Sequence, residues 1–406
     1  MSFAQTRNYI KTHWQVVLWY VGLFVVLGGA LFWQLGSLVP GYSVGELASY
    51  ESGTNLSKLL DNPFNAPFAL AIKGVSYLIH DSLLATRLVA VGGGLLVLGA
   101  FAALLRHWHD NTTAILGTLL FGLSAWFLHI ARLGTPEVLQ FGVFLLVAAG
   151  FWLRRTNHWL ALAVCFLLVV SLVYVPGMIW FIAVGLVWQW KTIDAVFKKH
   201  LVTVSLAGLV LLAALVPLAW SLYKHHILIK SWLGLPETWP APLEILKNAA
   251  KVPFHLFVHN SANAETWLGT APILDVFTLS MFLLGVYLYL RYGKLLRTRL
   301  FIVLGLMLTA LMAIGSSATF TVIMPFVYLV AAGGLAYLLG QWFKVFPRNP
   351  LARSLGWAGI SVLVGLACGF QLVHYFVGWP HVTATHETFF VKQNEHGTLY
   401  RSNLLQ

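Results

Sequence analysis

The sequence contains very little charge for its length. Asp, Glu, Lys and Arg make up 9% of its 406 residues, and only 13 residues are acidic. This is too little polar surface to cover a water-soluble globule of that size, so the composition excludes a soluble protein. Cysteine is also scarce, because the chain has only Cys165 and Cys368, and both lie inside apolar runs. A disulfide framework is therefore not expected.

The sequence instead contains many long apolar runs. Runs such as "QVVLWYVGLFVVLGGALFWQLGSL" reach the roughly 20 residues that a helix needs to cross a bilayer. They are apolar on every face, which is typical of membrane helices and not of barrel strands. The sequence predicts an all-α polytopic membrane protein with about 11 spans, near residues 15–38, 84–105, 112–131, 136–153, 158–173, 176–190, 201–223, 273–291, 299–315, 319–342 and 354–377. The spans 158–173 and 176–190 meet at "VYVPG" and are either a broken or hairpin pair or two full crossings.

The distribution of basic residues predicts the orientation in the cell membrane. With the N-terminus in the cytoplasm, the inner segments hold 15 of the 25 basic residues and only two acids, Asp110 and Asp194. The positive-inside rule favours this arrangement, with an extracytoplasmic C-terminus. The net charge of +12 is then topological, and nucleic-acid binding is not indicated. The long outer loops 39–83 and 224–272 and the tail 378–406 are where function is expected.

Two ionisable residues near the first outer loop are candidates for chemistry. Glu46 lies in "VGELASY", about seven residues beyond the first span. It is either a general base or electrostatic anchor at the membrane boundary or an exposed loop acid. Arg87 lies near the outer end of the next span, where a guanidinium either binds a phosphate or reaches ordinary lipid headgroups.

The later outer loops contribute further candidates. In "HIARLGTPEVLQ", Arg132 and Glu137 are expected to form a charge pair, and Glu137 also suits the first turn of a helix. The stretch "APLEILKNAAKVPFHLFVH" predicts an amphipathic interfacial helix, which could also roof a cavity. The histidines in this loop show no metal-ligand spacing, so no metal site is assigned, although a divalent metal is left open. They are His225, His226, His255 and His259.

The order of these segments resembles the GT-C class of polytopic glycosyltransferases, which includes protein O-mannosyltransferases, aminoarabinose transferases and RgtA/B/C/D-like proteins. The segments that carry the resemblance are "VGELASY", "NPFNAPFALAIKGVSYLIHDS", "ATRLVAVGGG", "IARLGTPEVLQ", "APILDVFTLSMFLLGVYLYL" and "TFTVIMPFVYLVAAGGLAYLL". The resemblance covers about residues 1–377, which predicts a GT-C-like transmembrane domain followed by the short tail 378–406. Gly45 stands where the family usually has the first acid of an Asp-Glu pair.

The resemblance implies a glycosyltransferase that moves a sugar from a polyprenyl-phosphate donor to a glycan, lipid or protein acceptor on the outer face. No P-loop, dinucleotide fingerprint or "HExxH" is present, which favours a donor carried on a lipid. The alternatives are a non-catalytic assembly protein and a transporter or flippase of lipid-linked sugars. No cofactor is firmly implied. The resemblance makes Glu46 and Glu137 catalytic, assigns Arg87, Arg132 and Lys73 to the donor phosphate, and places Tyr50, Asn65, His255 and His259 in the acceptor or donor cavity.

Overall fold

A computed structural model shows an all-helical bundle with a single short hairpin in the part of the chain that it describes. The described residues are 14–79, 82–156, 159–199, 201–257, 265–266, 268–269, 271–293, 295–393 and 399–401. Within these ranges, seven helices are long and apolar enough to cross a membrane, or eight if one bent pair is a single span. The chain is therefore a multi-pass membrane protein, as predicted.

Each of the eleven predicted spans coincides with helix. The first six spans correspond to α1 (Trp14–Phe32), α5 (Ser82–Trp108), the bent pair α6 (Asn111–Gly122) and α7 (Ala125–Arg132), α8 (Gly142–Thr156), α9 (Trp159–Val173) and α10 (Ile179–Lys199). The last five correspond to α11 (Leu201–Lys224), α14 (Val276–Arg291), α15 (Leu296–Ala313), α16 (Met324–Val345) and α17 (Pro350–Val373). A 3-10 helix, Pro136–Phe141, leads into α8.

The "VYVPG" segment separates two distinct helices, α9 and α10. Gly177 in this turn has a φ of 78°, a left-handed conformation that glycine adopts without strain. The Gly177 amide donates to the Trp232 carbonyl at 2.9 Å, so the turn is held by the chain that follows α11. At 15 residues, α9 extends about 22 Å, less than the roughly 30 Å of a hydrocarbon core. The pair is a helical hairpin with one short arm.

Short helices lie in the loops between the spans. They are α2 (Val44–Thr54), α3 (Leu56–Asp61) and α4 (Ala66–Ser76) in the first long loop, α12 (Leu228–Trp232) and α13 (Pro242–Phe257) in the second, and α18 (Thr383–Thr388) in the tail. The predicted amphipathic helix is α13, which packs against α15. Asn248 on its inner face donates to the Ala313 carbonyl at 3.3 Å. The helix is thus docked on the bundle as well as amphipathic.

Glycines allow several helices to approach closely. A Cβ atom at Gly285 of α14 would overlap the Val330 carbonyl oxygen of α16, and one at Gly334 of α16 would overlap the Met281 carbonyl oxygen of α14. Backbone contact of this kind is typical of membrane helix crossings. The "VGGG" run of α5 also packs closely, here against side chains, because a Cβ at Gly94 would lie 2.6 Å from Ala131 Cβ of α7.

The C-terminal tail returns to the first long loop. Tyr42 and Val391 form an antiparallel bridge, with N to O distances of 2.8 and 3.1 Å. Val391 begins β1 (Val391–Gln393), which pairs with β2 (Leu399–Arg401) in a two-stranded hairpin. Phe389, just before the bridge, packs edge-on against Trp379. The loop after α1 and the segment after α17 therefore lie on the same side of the bundle.

Candidate functional site

Glu46 is positioned by the start of α2. Ser43 is the N-cap residue, its hydroxyl accepts the Glu46 amide at 3.1 Å, and a Glu46 carboxylate oxygen accepts the Ser43 amide at 3.0 Å. This reciprocal capping box corresponds to the "SVGE" pattern, a signal that is readable in the sequence. The box turns the Glu46 side chain back toward the protein, where it is fully buried. This burial excludes the alternative that Glu46 is an exposed loop acid.

The Glu46 carboxylate forms a two-point ion pair with Arg87 of α5. Arg87 Nε lies 2.7 Å from Glu46 Oε1, and Arg87 Nη2 lies 2.9 Å from Oε2. The Gly134 amide donates to Oε1 at 2.9 Å. With the Ser43 amide, each Glu46 oxygen accepts two hydrogen bonds. The carboxylate therefore has no unused lone pair facing a substrate.

The guanidinium donors of Arg87 also have other partners within the protein. Its remaining donors reach the Leu35 and Gly41 carbonyls, both at 2.9 Å, and its guanidinium carbon lies 4.1 Å from the centre of the Tyr42 ring. All of these partners belong to the first outer loop. Arg87 is buried, and these four hydrogen bonds hold the loop against α5. Most of its donor capacity is thus used within the protein, which leaves little for the predicted phosphate role.

A small cavity of about 20 Å³ lies beside this ion pair. It is lined by Glu46, Arg87, His129, Arg132, Tyr375 and Trp379, among others. The side chains of His129 and Arg132 come from α7, the second half of the bent span, which turns by 63° after α6. The bend directs the end of α7 under the first outer loop. This brings charged groups from three segments of the chain together.

Arg132 is a charged lining residue with unused donors, and Trp379 Nε1 is a second buried donor of the lining without a hydrogen-bond partner. Arg132 is 4% exposed, and its Nη2 donates to the Trp33 carbonyl at 2.5 Å. Its Nε and Nη1 are buried and have no hydrogen-bond partner. The guanidinium carbon lies 5.2 Å from the Tyr375 ring centre and 4.9 Å from that of Phe376. A buried cation with unsatisfied donors is costly, and an anion at this place would remove the cost.

Glu137 does not form the expected charge pair with Arg132. Among the described residues, no ion pair joins the two, and the Glu137 Oε2 atom is buried without a hydrogen-bond partner. The prediction of an Arg132 to Glu137 pair was wrong. Glu137 lies in the 3-10 helix that follows Gly134, close enough to Glu265 for the two charges to interact.

Glu265 was not among the predicted site residues. Its Oε1 accepts the Ser43 hydroxyl at 2.6 Å, and its carbonyl oxygen lies 2.7 Å from His129 Nε2. These contacts place it beside Glu46, 219 positions earlier in the chain. No local pattern marks this acid in the sequence, because only the fold brings its loop to the cap of α2. Tyr375 and Trp379 of the segment after α17 were missed for the same reason.

The other predicted residues lie elsewhere. Tyr50, Asn65, Lys73 and His255 do not line the cavity beside Arg132. Asn65 precedes α4 in a left-handed conformation, φ 57°, and its amide donates to the Tyr174 carbonyl at 2.9 Å. His259 lies outside the described residues. In the described part of the chain, no group of three His, Cys, Asp or Glu side chains could hold a metal ion.

A larger cavity of about 210 Å³ lies against the N-terminal half of α7. Its polar lining includes Asp275, Gln371 and His374, and Trp126 contributes an aromatic wall. Gln371 joins three elements here: it donates to Asp275 at 2.9 Å and accepts the Ala125 amide at 3.0 Å. A concave space with a few fixed polar groups and an aromatic wall is typical of small-molecule sites.

Comparisons with known proteins support the fold class. No protein-family model matches the chain, and no curated protein matches it. Among solved structures, the chain is similar to ArnT from Cupriavidus metallidurans in the apo state, with a TM-score of 0.55 and 14% identity over 93% of this chain and 78% of that chain. At this identity the likeness shows the fold alone. The chain thus shares the fold of this polytopic all-helical membrane protein, which confirms the predicted all-α polytopic membrane fold.

Proposed function

We propose that this protein is an integral-membrane glycosyltransferase. It moves a sugar from a polyprenyl-phosphate donor to an acceptor on the extracytoplasmic face. ArnT, which shares the fold, is an aminoarabinose transferase, and a lipid-linked donor suits a chain whose charged cavity lies where spanning helices meet an outer loop. The sugar and the acceptor are not specified by this proposal.

The observation that carries the proposal is the buried Arg132 with two unused donor atoms. In the proposed reaction, an acceptor oxygen forms a bond to the anomeric carbon of the sugar, and the bond from that carbon to the phosphate oxygen breaks. The leaving polyprenyl phosphate takes the electron pair, and its charge is stabilised by Arg132. The acceptor proton passes to a carboxylate of the site. The cavity holds about one water molecule, so phosphate entry requires the lining side chains to rearrange.

A second candidate function is a non-catalytic membrane assembly protein. The full occupation of Glu46 by Arg87, Ser43 and Gly134 favours it, since a carboxylate with four hydrogen bonds is suited to holding structure. Such a protein would keep its partner binding when the acids of the site are neutralised, and it would release no polyprenyl phosphate from any donor.

The test is an assay on the purified full-length protein with a panel of polyprenyl-phosphate sugars. Released polyprenyl phosphate and a new glycosidic bond are the expected result. Binding of polyprenyl phosphate alone is measured in parallel for wild type, Arg132→Gln and Lys58→Gln. Arg132→Gln should weaken binding about 10- to 100-fold, because charge-assisted hydrogen bonds contribute about 1.5–3 kcal/mol.

Lys58→Gln is the control, since Lys58 lies in the same loop and is an exposed residue that pairs with the exposed Glu51. Its binding should match wild type. Equal binding by all three proteins would remove Arg132 from the donor site, and no turnover with any donor would reject the enzyme.

A further inference from the structure

The carboxylate of Glu265 occupies the space beside Gly45. A Cβ atom on Gly45 would overlap Glu265 Oε1 and would lie 3.1 Å from its Cδ and 3.3 Å from Oε2. Gly45 is the second residue of α2, and its φ is not in the left-handed region. Helix geometry therefore does not require glycine there, and glycine destabilises a helix by about 0.5–1 kcal/mol relative to alanine. The structural reason for Gly45 is the space that Glu265 fills.

Ser43 holds Glu46 and Glu265 side by side. Its amide donates to Glu46 at 3.0 Å, and its hydroxyl donates to Glu265 at 2.6 Å. The carbonyl of Glu265 is fixed separately by His129, which lines the cavity with Arg132. Two acids thus lie at the N-terminus of α2, Glu46 from the helix itself and Glu265 from the long outer loop before α14. Glu265 fills the space that is left because Gly45 has no side chain.

The two acids differ in what they can do. Glu46 is fully buried and its oxygens already accept four hydrogen bonds, so it has no site for a further proton donor. Glu265 is half-buried, so part of its surface is accessible to a hydroxyl or amine.

Two further observations point to a ligand at this place. Arg132 has two buried guanidinium nitrogens without a partner, and it lines the cavity that Glu46 also lines. Glu137 has a buried carboxylate oxygen without a partner, and its charge interacts with that of Glu265. His129 connects the two groups of residues, because it binds the Glu265 carbonyl and lines the cavity with Arg132. A cation with unused donors and an acid on either side of this histidine suit a reaction in which a phosphate leaves and a proton is taken up.

We propose that Glu265 is the catalytic base and takes the place of the acid that Gly45 lacks. This inference rests on the proposed glycosyltransferase function. A Glu265 oxygen accepts the proton of the acceptor's nucleophilic group while that group forms its bond to the anomeric carbon. The bond to the phosphate oxygen breaks with the electron pair on the phosphate, beside Arg132. Glu46 positions Arg87 and the loop and does not exchange a proton.

Glu265→Gln tests the base directly, with Glu51→Gln as the matched control. Glu51 is an exposed acid eight residues after Ser43 in the same outer loop, and it pairs with the exposed Lys58. Glu265→Gln should lower turnover at least 100-fold while polyprenyl-phosphate binding stays within twofold of wild type. Glu51→Gln should keep wild-type turnover. A Glu265→Gln protein with full turnover would overturn the inference.

Moving the carboxylate gives a gain-of-function test. Gly45→Ala adds a methyl group that displaces the Glu265 carboxylate, so turnover should fall at least 10-fold without any change of charge. Glu265→Ala should be inactive. Adding Gly45→Asp to Glu265→Ala puts a carboxylate back in the same space and should restore turnover at least 10-fold over Glu265→Ala alone. Failure of this rescue in a folded protein, together with an unaffected Gly45→Ala, would reject the assignment.

The two proposals fail in different ways. If wild type releases no polyprenyl phosphate from any donor, the glycosyltransferase function fails, and the base role fails with it. If wild type is active and the Glu265 and Gly45 variants are equally active, only the assignment of the base fails. Thermal unfolding of each variant identifies those that are inactive because they are misfolded.

Discussion

The pairing of Glu46 with Arg87 changes what both residues are expected to do. Each was a candidate for chemistry because it is a rare charge near a predicted membrane boundary. In the structure the two side chains are 0% and 4% exposed and neutralise each other. The Glu46 and Arg87 side chains together join α2, α5 and the first outer loop. Glu46 also binds Gly134, which lies in the turn after α7. Their contacts are those of a structural clamp next to the site.

A clamp of this kind predicts a large stability loss when one partner is removed. Glu46→Gln leaves the Arg87 cation buried without a counter-charge, which typically costs about 3–5 kcal/mol. We expect a clear fall in the thermal unfolding midpoint of the purified protein. Replacing both residues, Glu46→Gln with Arg87→Met, should recover part of the loss because no buried charge is left alone.

The exposed pair of Glu51 and Lys58 is the control for this measurement. Its side chains are 49% and 59% exposed, so breaking it with Glu51→Gln should change stability by less than about 1 kcal/mol. A midpoint for Glu46→Gln equal to that of Glu51→Gln would contradict the clamp.

At the residue scale, the sequence identified the acid of the first loop and both arginines but not their partners. Arg87 and Arg132 are both conspicuous as charges at the ends of apolar runs. The 63° bend after α6 brings Arg132 to the cavity beside the Glu46 and Arg87 pair, but the Glu46 carboxylate is already used by Arg87. No local pattern in the sequence encodes such a bend, because it is stabilised by tertiary contacts such as the Gln371 bond to the Ala125 amide.

The helices α14 and α16 cross closely at Gly285 and Gly334, where the absence of a side chain lets the two backbones touch. The Gly285 and Gly334 positions put helix backbone directly against helix backbone. Gly285→Ala must therefore separate the two helices or distort them, at a cost of about 1–3 kcal/mol. The thermal unfolding midpoint in the same detergent measures this loss.

Gly365 of α17 offers a matched substitution. It also lies within a long apolar helix, but no atom lies within 4 Å of where its Cβ would be. Gly365→Ala should be neutral or slightly stabilising, because alanine favours the helix over glycine. If Gly285→Ala and Gly365→Ala have the same midpoint, the close crossing does not contribute to stability.

At the element scale, local signals predicted which segments are helical but not how far the helices reach into the site. The run 112–131 was expected as one span, and the structure divides it into α6 and α7 at Leu123 and Ser124. The capping box at Ser43 was encoded locally in "SVGE" and determines the direction of the Glu46 side chain. Local hydrogen bonds can be predicted from spacing, whereas bends depend on what surrounds the helix.

For the whole molecule, the side of the membrane on which the site lies remains a prediction from charge. Glu51 is exposed in the first outer loop, and Glu387 is exposed in the tail. Asp194 is exposed near the C-terminal end of α10, which is predicted to face the cytoplasm. The bridge between Tyr42 and Val391 requires the loop and the tail to share one side. If the N-terminus is cytoplasmic, that side is extracytoplasmic.

Cysteine labelling tests this orientation. Single cysteines are placed at Glu51→Cys, Glu387→Cys or Asp194→Cys in a protein whose native cysteines are replaced by serine. A membrane-impermeant maleimide should label the first two in intact cells and the third only after permeabilisation. Labelling of Asp194→Cys alone in intact cells would reverse the orientation. Different behaviour of the first two would contradict the shared side.

Composition and the length of the apolar runs were enough to predict that the chain crosses a membrane many times, because neither depends on contacts between segments. The same pattern identified which charges lie near the ends of apolar runs. Tertiary packing alone accounts for the pairing of Glu46 with Arg87, the unused donors of Arg132 and the place of Glu265 beside Gly45. The last of these contacts joins residues 220 positions apart, so packing of the bundle sets it and no local pattern encodes it.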